Sequence, residues 1–201
     1  MLQRDKVAIH GGTIVKDNKA IIITGDRGAG KSTLTTALRL RNYSFLSDDV
    51  AAVEFSDHIP MINYGFPYQK LCEDAIDNFK YNRKNYNWIL SDNKIKYMVK
   101  VDKTFMGKSV ELFAIFEIIW SDVQDVEVVE IGGSEKLSKI IDNIYWGEYI
   151  RNLGGMTPKY LQKCFNIAKH IRVFKIIRPK NGFTVDRQIE LIENILYKET
   201  L

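Results

Sequence analysis

The segment Gly25-Asp26-Arg27-Gly28-Ala29-Gly30-Lys31-Ser32 fits the pattern G-x-x-x-x-G-K-[ST] without a mismatch. Apolar Ile21 to Thr24 leads in as a strand, and Lys31 to Leu40 leads out as a helix with Leu34, Ala37 and Leu38 on one face. Phosphate chemistry needs this order of parts. Glycines let the backbone curl until several N–H groups point at phosphate oxygens. The helix N-terminus adds partial positive charge at the same point. In such a loop Lys31 reaches the β- and γ-phosphates and the Ser32 hydroxyl ligates Mg²⁺. Gly25, Asp26, Arg27, Gly28, Ala29, Gly30, Lys31, Ser32 and Thr33 are therefore the candidate contacts of a nucleoside triphosphate, ATP or GTP. The competing reading is a glycine-rich turn that only caps a helix. Hydrolysis, transfer and switching all stay open at this point.

Ser47-Asp48-Asp49-Val50 follows just after that helix. Two adjacent carboxylates in an apolar setting are costly unless a cation or hydrogen bonds compensate them. Mg²⁺ can compensate one, and Asp48 is the candidate for that side. The other, Asp49, can accept the proton of a substrate hydroxyl as it attacks the γ-phosphate. Adjacent residues on a regular strand point to opposite faces, so both can act only at a strand end or a bend. A solvated turn is the alternative. His10, before Gly11 at the end of the first strand, is a candidate to orient an aspartate or to serve the phosphoryl group, if pairing across the first hairpin brings it to the loop. A satisfied structural histidine is the alternative. Arg178 opens a turn after a buried strand and is a further candidate, with Lys70 beside it in rank. His58 and His170 read as structural or exposed.

The elements that must hold these residues alternate between strand and helix. Val7 to Val15 and Ala20 to Thr24 read as two strands around the turn Lys16-Asp17-Asn18-Lys19, whose central residues tolerate left-handed backbone. Phe45 to Leu46 and Val50 to Phe55 flank the acidic pair. Ile95, Tyr97, Val99 and Val101 alternate with Lys94, Lys96 and Lys100, which predicts a half-buried strand with a basic outer face. Leu112 to Trp120 is a near-continuous apolar run and reads as a central strand. Val126 to Ile131 is another strand, followed by a helix capped by Ser134 with Leu137, Ile140, Ile141 and Ile144 inward. Thr157 caps a helix with Pro158 at its first position. Ile171 to Ile177 is a strand, Arg178 to Gly182 a turn, and Val185 to Tyr197 the last helix. The antiparallel opening makes a purely parallel sheet unlikely to fit, so an α/β fold with a mixed sheet is expected, as one domain over residues 1–201.

Composition removes whole classes. The 201 residues are 45% hydrophobic and 27% charged, ordinary for a globular domain. The longest apolar stretch, Leu112 to Trp120, is interrupted by Glu117, so no transmembrane helix is expected. Met1 to Val7 contains no apolar core of a secretory signal. Cys72 and Cys164 make no disulfide framework, and a cytoplasmic protein with free thiols is expected. The net charge of +4 is too mild to argue for nucleic acid, and no membrane partner is implied. Its distribution is uneven: residues 80–108 hold eight Lys or Arg against two Asp, and 109–135 hold seven Asp or Glu and no Lys or Arg. The plain reading is two solvated faces; the sharper one is that the basic segment attracts an acidic or phosphorylated partner. Homo-oligomerisation is left open.

Taken in order, His10-Gly11, Ile22-Ile23-Thr24-Gly25-Asp26, Gly30-Lys31-Ser32 and Asp48-Asp49 resemble the catalytic domain of HPr kinase/phosphorylase. The resemblance is tight over residues 7–53 and loose beyond, through Pro67 to Leu71 and Ile177-Arg178-Pro179. It implies the P-loop fold with a mixed sheet shared with phosphoenolpyruvate carboxykinases. It implies Lys31 as the phosphate lysine, Ser32 as Mg²⁺ ligand, Asp49 as proton acceptor from a substrate serine and His10 as the active-site histidine. The chain departs from that family at Thr33, where a glutamate is usual, near Ile62 to Gly65, where a metal-binding Glu-Ile-Arg-Gly segment is usual, and at Arg178-Pro179-Lys180-Asn181, where Arg-Pro-Gly-Arg is usual. The family's separate N-terminal domain has no counterpart. The chain therefore looks like the short stand-alone relatives, such as lasso-peptide kinases, which phosphorylate a serine on a precursor peptide. The expected activity is Mg-ATP-dependent phosphorylation of a serine in a peptide or small protein. A bifunctional kinase/phosphorylase acting on HPr and a nucleotide-binding interaction module are the alternatives.

Overall fold

A computed structural model of the protein describes residues 6–91, 93–152, 154 and 156–197. Residues 1–5, on which the reading of the N-terminal segment rests, lie outside the described residues. Among the described residues twelve strands and six α-helices follow one another.

The main sheet is mixed. Strand β3 (Lys19–Gly25) pairs antiparallel with β2 (Gly12–Lys16) through a two-residue turn. Asp17 and Asn18 there take φ of 49° and 60°, the left-handed pair that matches the strand twist. Strand β10 (Val110–Ser121) lies parallel to β3 on one edge. Its other edge is shared in turn by β6 (Ile59–Asn63), antiparallel at Val110 and Glu111, and by β12 (Arg172–Pro179), parallel from Ala114 onward. Strand β5 (Val50–Ser56) joins β6 to β1 (Val7–His10), β4 (Ser44–Ser47) pairs with β2, and β11 (Glu127–Ile131) pairs with β12. The central strand expected at Leu112 to Trp120 is β10, and the α/β fold with a mixed sheet is what the chain forms.

Alternation along β3 builds the core on both faces. Ile21 and Ile23 pack with Leu34 and Leu38 of α1 (Lys31–Leu40) and with Ile189 and Ile192 of α6 (Val185–Tyr197). Ala20 and Ile22 face the other way, with Ile140 of α3 (Gly133–Asp142), Ile150 of α4 (Gly147–Asn152) and Ile167 of α5 (Pro158–His170). Burying each of those isoleucines contributes about 1.5–3 kcal/mol, so the β3 strand is anchored on both sides just before the phosphate loop.

A second sheet of three strands stands apart, in the order β7-β9-β8: β7 (Tyr68–Cys72), β9 (Lys94–Lys100) and β8 (Trp88–Ser91). Its inner face carries Leu71, Tyr97 and Val99 and packs on Ala75 and Ile76 of α2 (Glu73–Asn78).

Three expectations are corrected. Val7 to Val15 is two strands, broken at Gly11. A Cβ there would stand 2.5 Å from the Ile23 carbonyl oxygen, so only glycine lets the chain pass so close to β3. The helix after β11 starts two residues earlier than expected, with Gly132 at its N-cap and no side-chain cap bond from Ser134. Strand β12 continues through Arg178 and Pro179, because both stay in register with Trp120 and Ser121 of β10. Thr157 does cap α5, accepting a hydrogen bond from the Tyr160 N–H at 3.2 Å. Both cysteines are free, Cys164 fully buried. Among the described residues no helix is long and apolar enough to cross a membrane.

Candidate active site

The loop from Gly25 to Ser32 runs between the C-terminal end of β3 and the first turn of α1. Gly25 adopts φ 131°, and a Cβ on it would meet the Ile118 carbonyl oxygen at 2.3 Å. Neighbouring β10 thus presses on the loop where it leaves the sheet. Gly30 is the N-cap of α1 with φ 111° and offers no side-chain cap, so the first N–H groups of the helix face the loop. Lys31 curls back over the loop. Its Nζ donates to the carbonyl oxygens of Gly25 at 2.7 Å and Asp26 at 3.0 Å. Burial pulls the Lys31 pKa below its ordinary value, while Asp49 and Asp26 act in the opposite sense.

Arg178 reaches the same loop from β12. Its Nε donates to the Ala29 carbonyl oxygen at 2.9 Å, and its guanidinium also holds the Pro179 carbonyl. It is a loop-supporting residue here, positioned by the β10–β12 pairing. Asp26, Arg27 and Gly28 are the exposed part of the loop, Ala29 is buried, and Ser32 and Thr33 are half-buried.

The acidic pair sits between β4 and β5, at the bend that adjacent carboxylates need in order to act together. One narrow cleft is lined by Gly11, Gly12, Lys31, Ser32, Thr35, Asp48 and Asp49. Asp48 accepts a hydrogen bond from the Lys70 N–H at 2.9 Å, and the Lys70 ammonium pairs with Asp49. Burial, reinforced by the Asp49 carboxylate, pushes the Asp48 carboxyl up to about 7. Burial works against the Lys70 charge, but the Asp49 carboxylate outweighs it and holds that ammonium above its ordinary value. The sequence left Lys70 open between a site residue and a surface one; the structure makes it the clamp on the pair.

His10 arrives by a different route from the one expected. It does not pair across the β2–β3 hairpin. Strand β1 pairs with β5, which sets His10 opposite Val50, and the next residue, Gly11, donates its N–H to the Asp49 carbonyl at 3.0 Å. The ring stacks on Tyr145 with centroids 5.8 Å apart, and Nδ1 is buried without a hydrogen-bond partner. Burial, then the Lys31 charge, lowers the imidazole pKa, so the ring is neutral at pH 7; Asp49 opposes the shift. His58 and His170 are exposed and take no part.

Sequence reasoning missed three supports. Gln69 is fully buried, and its Nε2 donates to Thr35 Oγ1 at 2.8 Å while its Oε1 lies 3.1 Å from Thr36 Oγ1. It ties the small sheet to the helix that carries Lys31. Glu117 is buried at 7% exposure opposite Thr24 and pairs with Lys139 at 3.1 Å. Asn143 bridges that carboxylate to the loop strand. It donates to Glu117 at 3.2 Å, and its Oδ1 lies 2.6 Å from the Thr24 hydroxyl, which is equally close to the His10 carbonyl. A signal for Glu117 existed: a lone carboxylate inside an apolar strand must have a partner. Nothing in the sequence names Lys139 and Asn143 as those partners.

Among the described residues no group of three or more His, Cys, Asp or Glu side chains comes together. Mg²⁺ beside phosphates does not need one, because it is usually bound through one or two protein oxygens plus phosphate oxygens and water. A buried carboxyl raised by its neighbour fits that cation. Ser32 and Asp48 are the donors at hand.

No family model matches this sequence. No curated protein matches it either. Among solved structures, the chain is similar to the HPr(Ser) kinase/phosphatase from Coxiella burnetii, at 16% identity over 96% of this chain and 98% of that one, with a TM-score of 0.46.

Proposed function

We propose that this protein is a Mg-ATP-dependent kinase that transfers the γ-phosphate to a serine hydroxyl of a peptide or small protein, with a ribosomal precursor peptide as the expected substrate. The observation that carries this reading is the shared cleft. The phosphate-loop residues Lys31 and Ser32 and the two aspartates line one opening. The second carboxylate, clamped by Lys70, can take the proton of an incoming hydroxyl.

In this reading Gly25 to Thr33 and the N-terminus of α1 cradle the phosphates, and Lys31 leaves its loop carbonyls for the β- and γ-phosphate oxygens. Mg²⁺, held by Ser32 and Asp48, supplies charge neutralisation of the triphosphate. The serine oxygen attacks the γ-phosphorus and a new O–P bond forms. The bond between that phosphorus and the β-bridging oxygen breaks, and ADP leaves. Asp49 takes the hydroxyl proton. Lys70 orients the Asp49 carboxylate, and neutral His10 holds the chain segment beside it.

Incubating the full chain with γ-labelled ATP, Mg²⁺ and the short serine-containing peptides encoded beside its gene tests the reading. Label on a serine is the expected result. Tight nucleotide binding with no label on any hydroxyl would overturn it in favour of a binding module. Phosphorolysis of phospho-HPr by inorganic phosphate would instead favour the bifunctional enzyme.

A further inference from the structure

We propose that the outer face of the three-stranded sheet is a docking surface for an acidic segment flanking the acceptor hydroxyl. This rests on the kinase reading and adds the substrate class to it. Strand alternation defines the face. Gln69, Leu71, Tyr97 and Val99 are buried and point toward α1 and α2. The register Tyr68↔Lys100, Lys70↔Met98 and Cys72↔Lys96 turns those residues the other way. In β8, Ile89 stands opposite Lys96 and Ser91 opposite Lys94. Lys70, Lys94, Lys96 and Lys100 therefore share one face, with Met98 and Ile89 between them.

That face is continuous with the cleft. Lys70 contacts Asp49 directly. The Lys96 charge is near enough to be felt by His10, Lys31 and Asp48. Lys70 is engaged by Asp49 and Lys100 by Asp102 at 3.0 Å. Among the described residues Lys94 and Lys96 have no carboxylate partner. Two uncompensated cations beside a site for an incoming hydroxyl recruit carboxylates on the same partner. Lys96 and Lys94 both lie on β9, one strand spacing of about 4.8 Å from β7, and each two residues along a strand adds about 6.8 Å, so they stand roughly 8 and 14 Å from Lys70. An extended chain covers those spans in about two to four residues. Asp or Glu two to four positions from the serine thus meets Lys96 and then Lys94. The aliphatic Ile89 and Met98 suit a peptide, whereas a single-stranded nucleic acid would want a series of aromatic stacking platforms and the register places one aromatic, Tyr68, on this face.

The test uses the full chain, γ-labelled Mg-ATP and twelve-residue serine peptides carrying Asp/Glu, Ala or Lys two to four positions from the serine. The acidic set is expected to exceed the lysine set in kcat/KM by at least ~10-fold, with the gap narrowing as salt is added. Lys94→Glu lies on an exposed hairpin and should cut that preference at least ~5-fold while the KM for Mg-ATP stays unchanged. Phosphorylation that ignores the flanking charge, or a preference that survives Lys94→Glu, overturns the docking surface and leaves the kinase reading standing. If no peptide is phosphorylated, the kinase reading falls, and anisotropy of the fluorescein-labelled acidic peptide decides the surface alone: binding weakened by Lys94→Glu supports it, and no binding overturns it. A single-stranded oligonucleotide that displaces the acidic peptide as well as unlabelled peptide does also overturns it.

Discussion

The phosphate loop and the acidic pair lie in one cleft but are built in opposite ways. Everything from Gly25 to Ser32 is a single stretch of chain between one strand and one helix. Asp48 and Asp49 are held by residues from far away: Lys70 from the small sheet, and Gly11 from the break between β1 and β2. A loop whose function comes from its own backbone tolerates sequence change around it. A carboxylate pair whose charge state is set by distant partners does not. The cleft should therefore separate into a nucleotide half and an acceptor half when mutated.

The largest separation is expected at Asp49. Asp49→Asn keeps the shape and loses basicity, so transfer to a serine peptide should fall by ~10²–10⁴-fold. Mg-ATP affinity, measured by calorimetry on the same variant, should hold. Wild-type transfer by Asp49→Asn would merge the two halves and remove the proton-acceptor role.

Lys31→Ala cuts the other way. It removes the cation that closes on Gly25 and Asp26 and that is proposed to move to the β- and γ-phosphates. Triphosphate binding should weaken by at least ~10-fold, about 1.4 kcal/mol. An unchanged dissociation constant would sink the nucleotide assignment itself.

Gln69 is the bridge between the halves, so its loss should register in stability before catalysis. Gln69→Leu removes the side-chain bonds from the small sheet to Thr35 and Thr36, whose hydroxyls keep their bonds to the Lys31 and Ser32 carbonyl oxygens of α1. Each lost hydrogen bond costs about 0.5–1.5 kcal/mol. In a chain of this size each kcal/mol lowers Tm by about 2–4 °C. A Tm within 1 °C of wild type would show that the small sheet and α1 are not coupled through this residue.

The last separation concerns Asp48 in the protein without nucleotide and shows only as pH is raised. Its carboxyl is raised from 3.8 to about 7, so the folded state holds a proton that the unfolded chain has already released over that window. Asp48 therefore detracts from stability increasingly as pH rises from about 4 to 7. Asp48→Asn removes the penalty and should raise Tm at pH 8 but not at pH 4. A carboxyl moved from 3.8 to about 7 corresponds to up to about 4 kcal/mol, so the gain at pH 8 is expected to exceed the about 2–4 °C that a single kcal/mol is worth. Thermal melts at both pH values check it, and an equal change at both would refute the burial-driven shift. The same variant should need more Mg²⁺ for half-maximal transfer.

The phosphate loop was legible in the sequence because its parts are local. Glycine, lysine and serine at fixed spacing after an apolar strand specify backbone shape, helix end and charge without reference to the rest of the fold. The β2–β3 turn and the Thr157 cap were legible for the same reason. His10 shows where local reading stops. Its importance beside Asp48-Asp49 was visible, but the route was misread, since only the close approach of Gly11 to Ile23 breaks the strand and sends β1 to β5. The partners of Lys70, Gln69 and Glu117 were beyond reach for a stronger reason. A polar side chain does not encode its partner, and their partners Asp49, Thr35 and Lys139 lie 21, 34 and 22 residues away. The sequence alone marked the loop at which triphosphate binding is proposed. Packing of two sheets on one helix decided which carboxylate is buried and which lysine clamps its neighbour, because desolvation and charge pairing depend on distances that no local pattern carries.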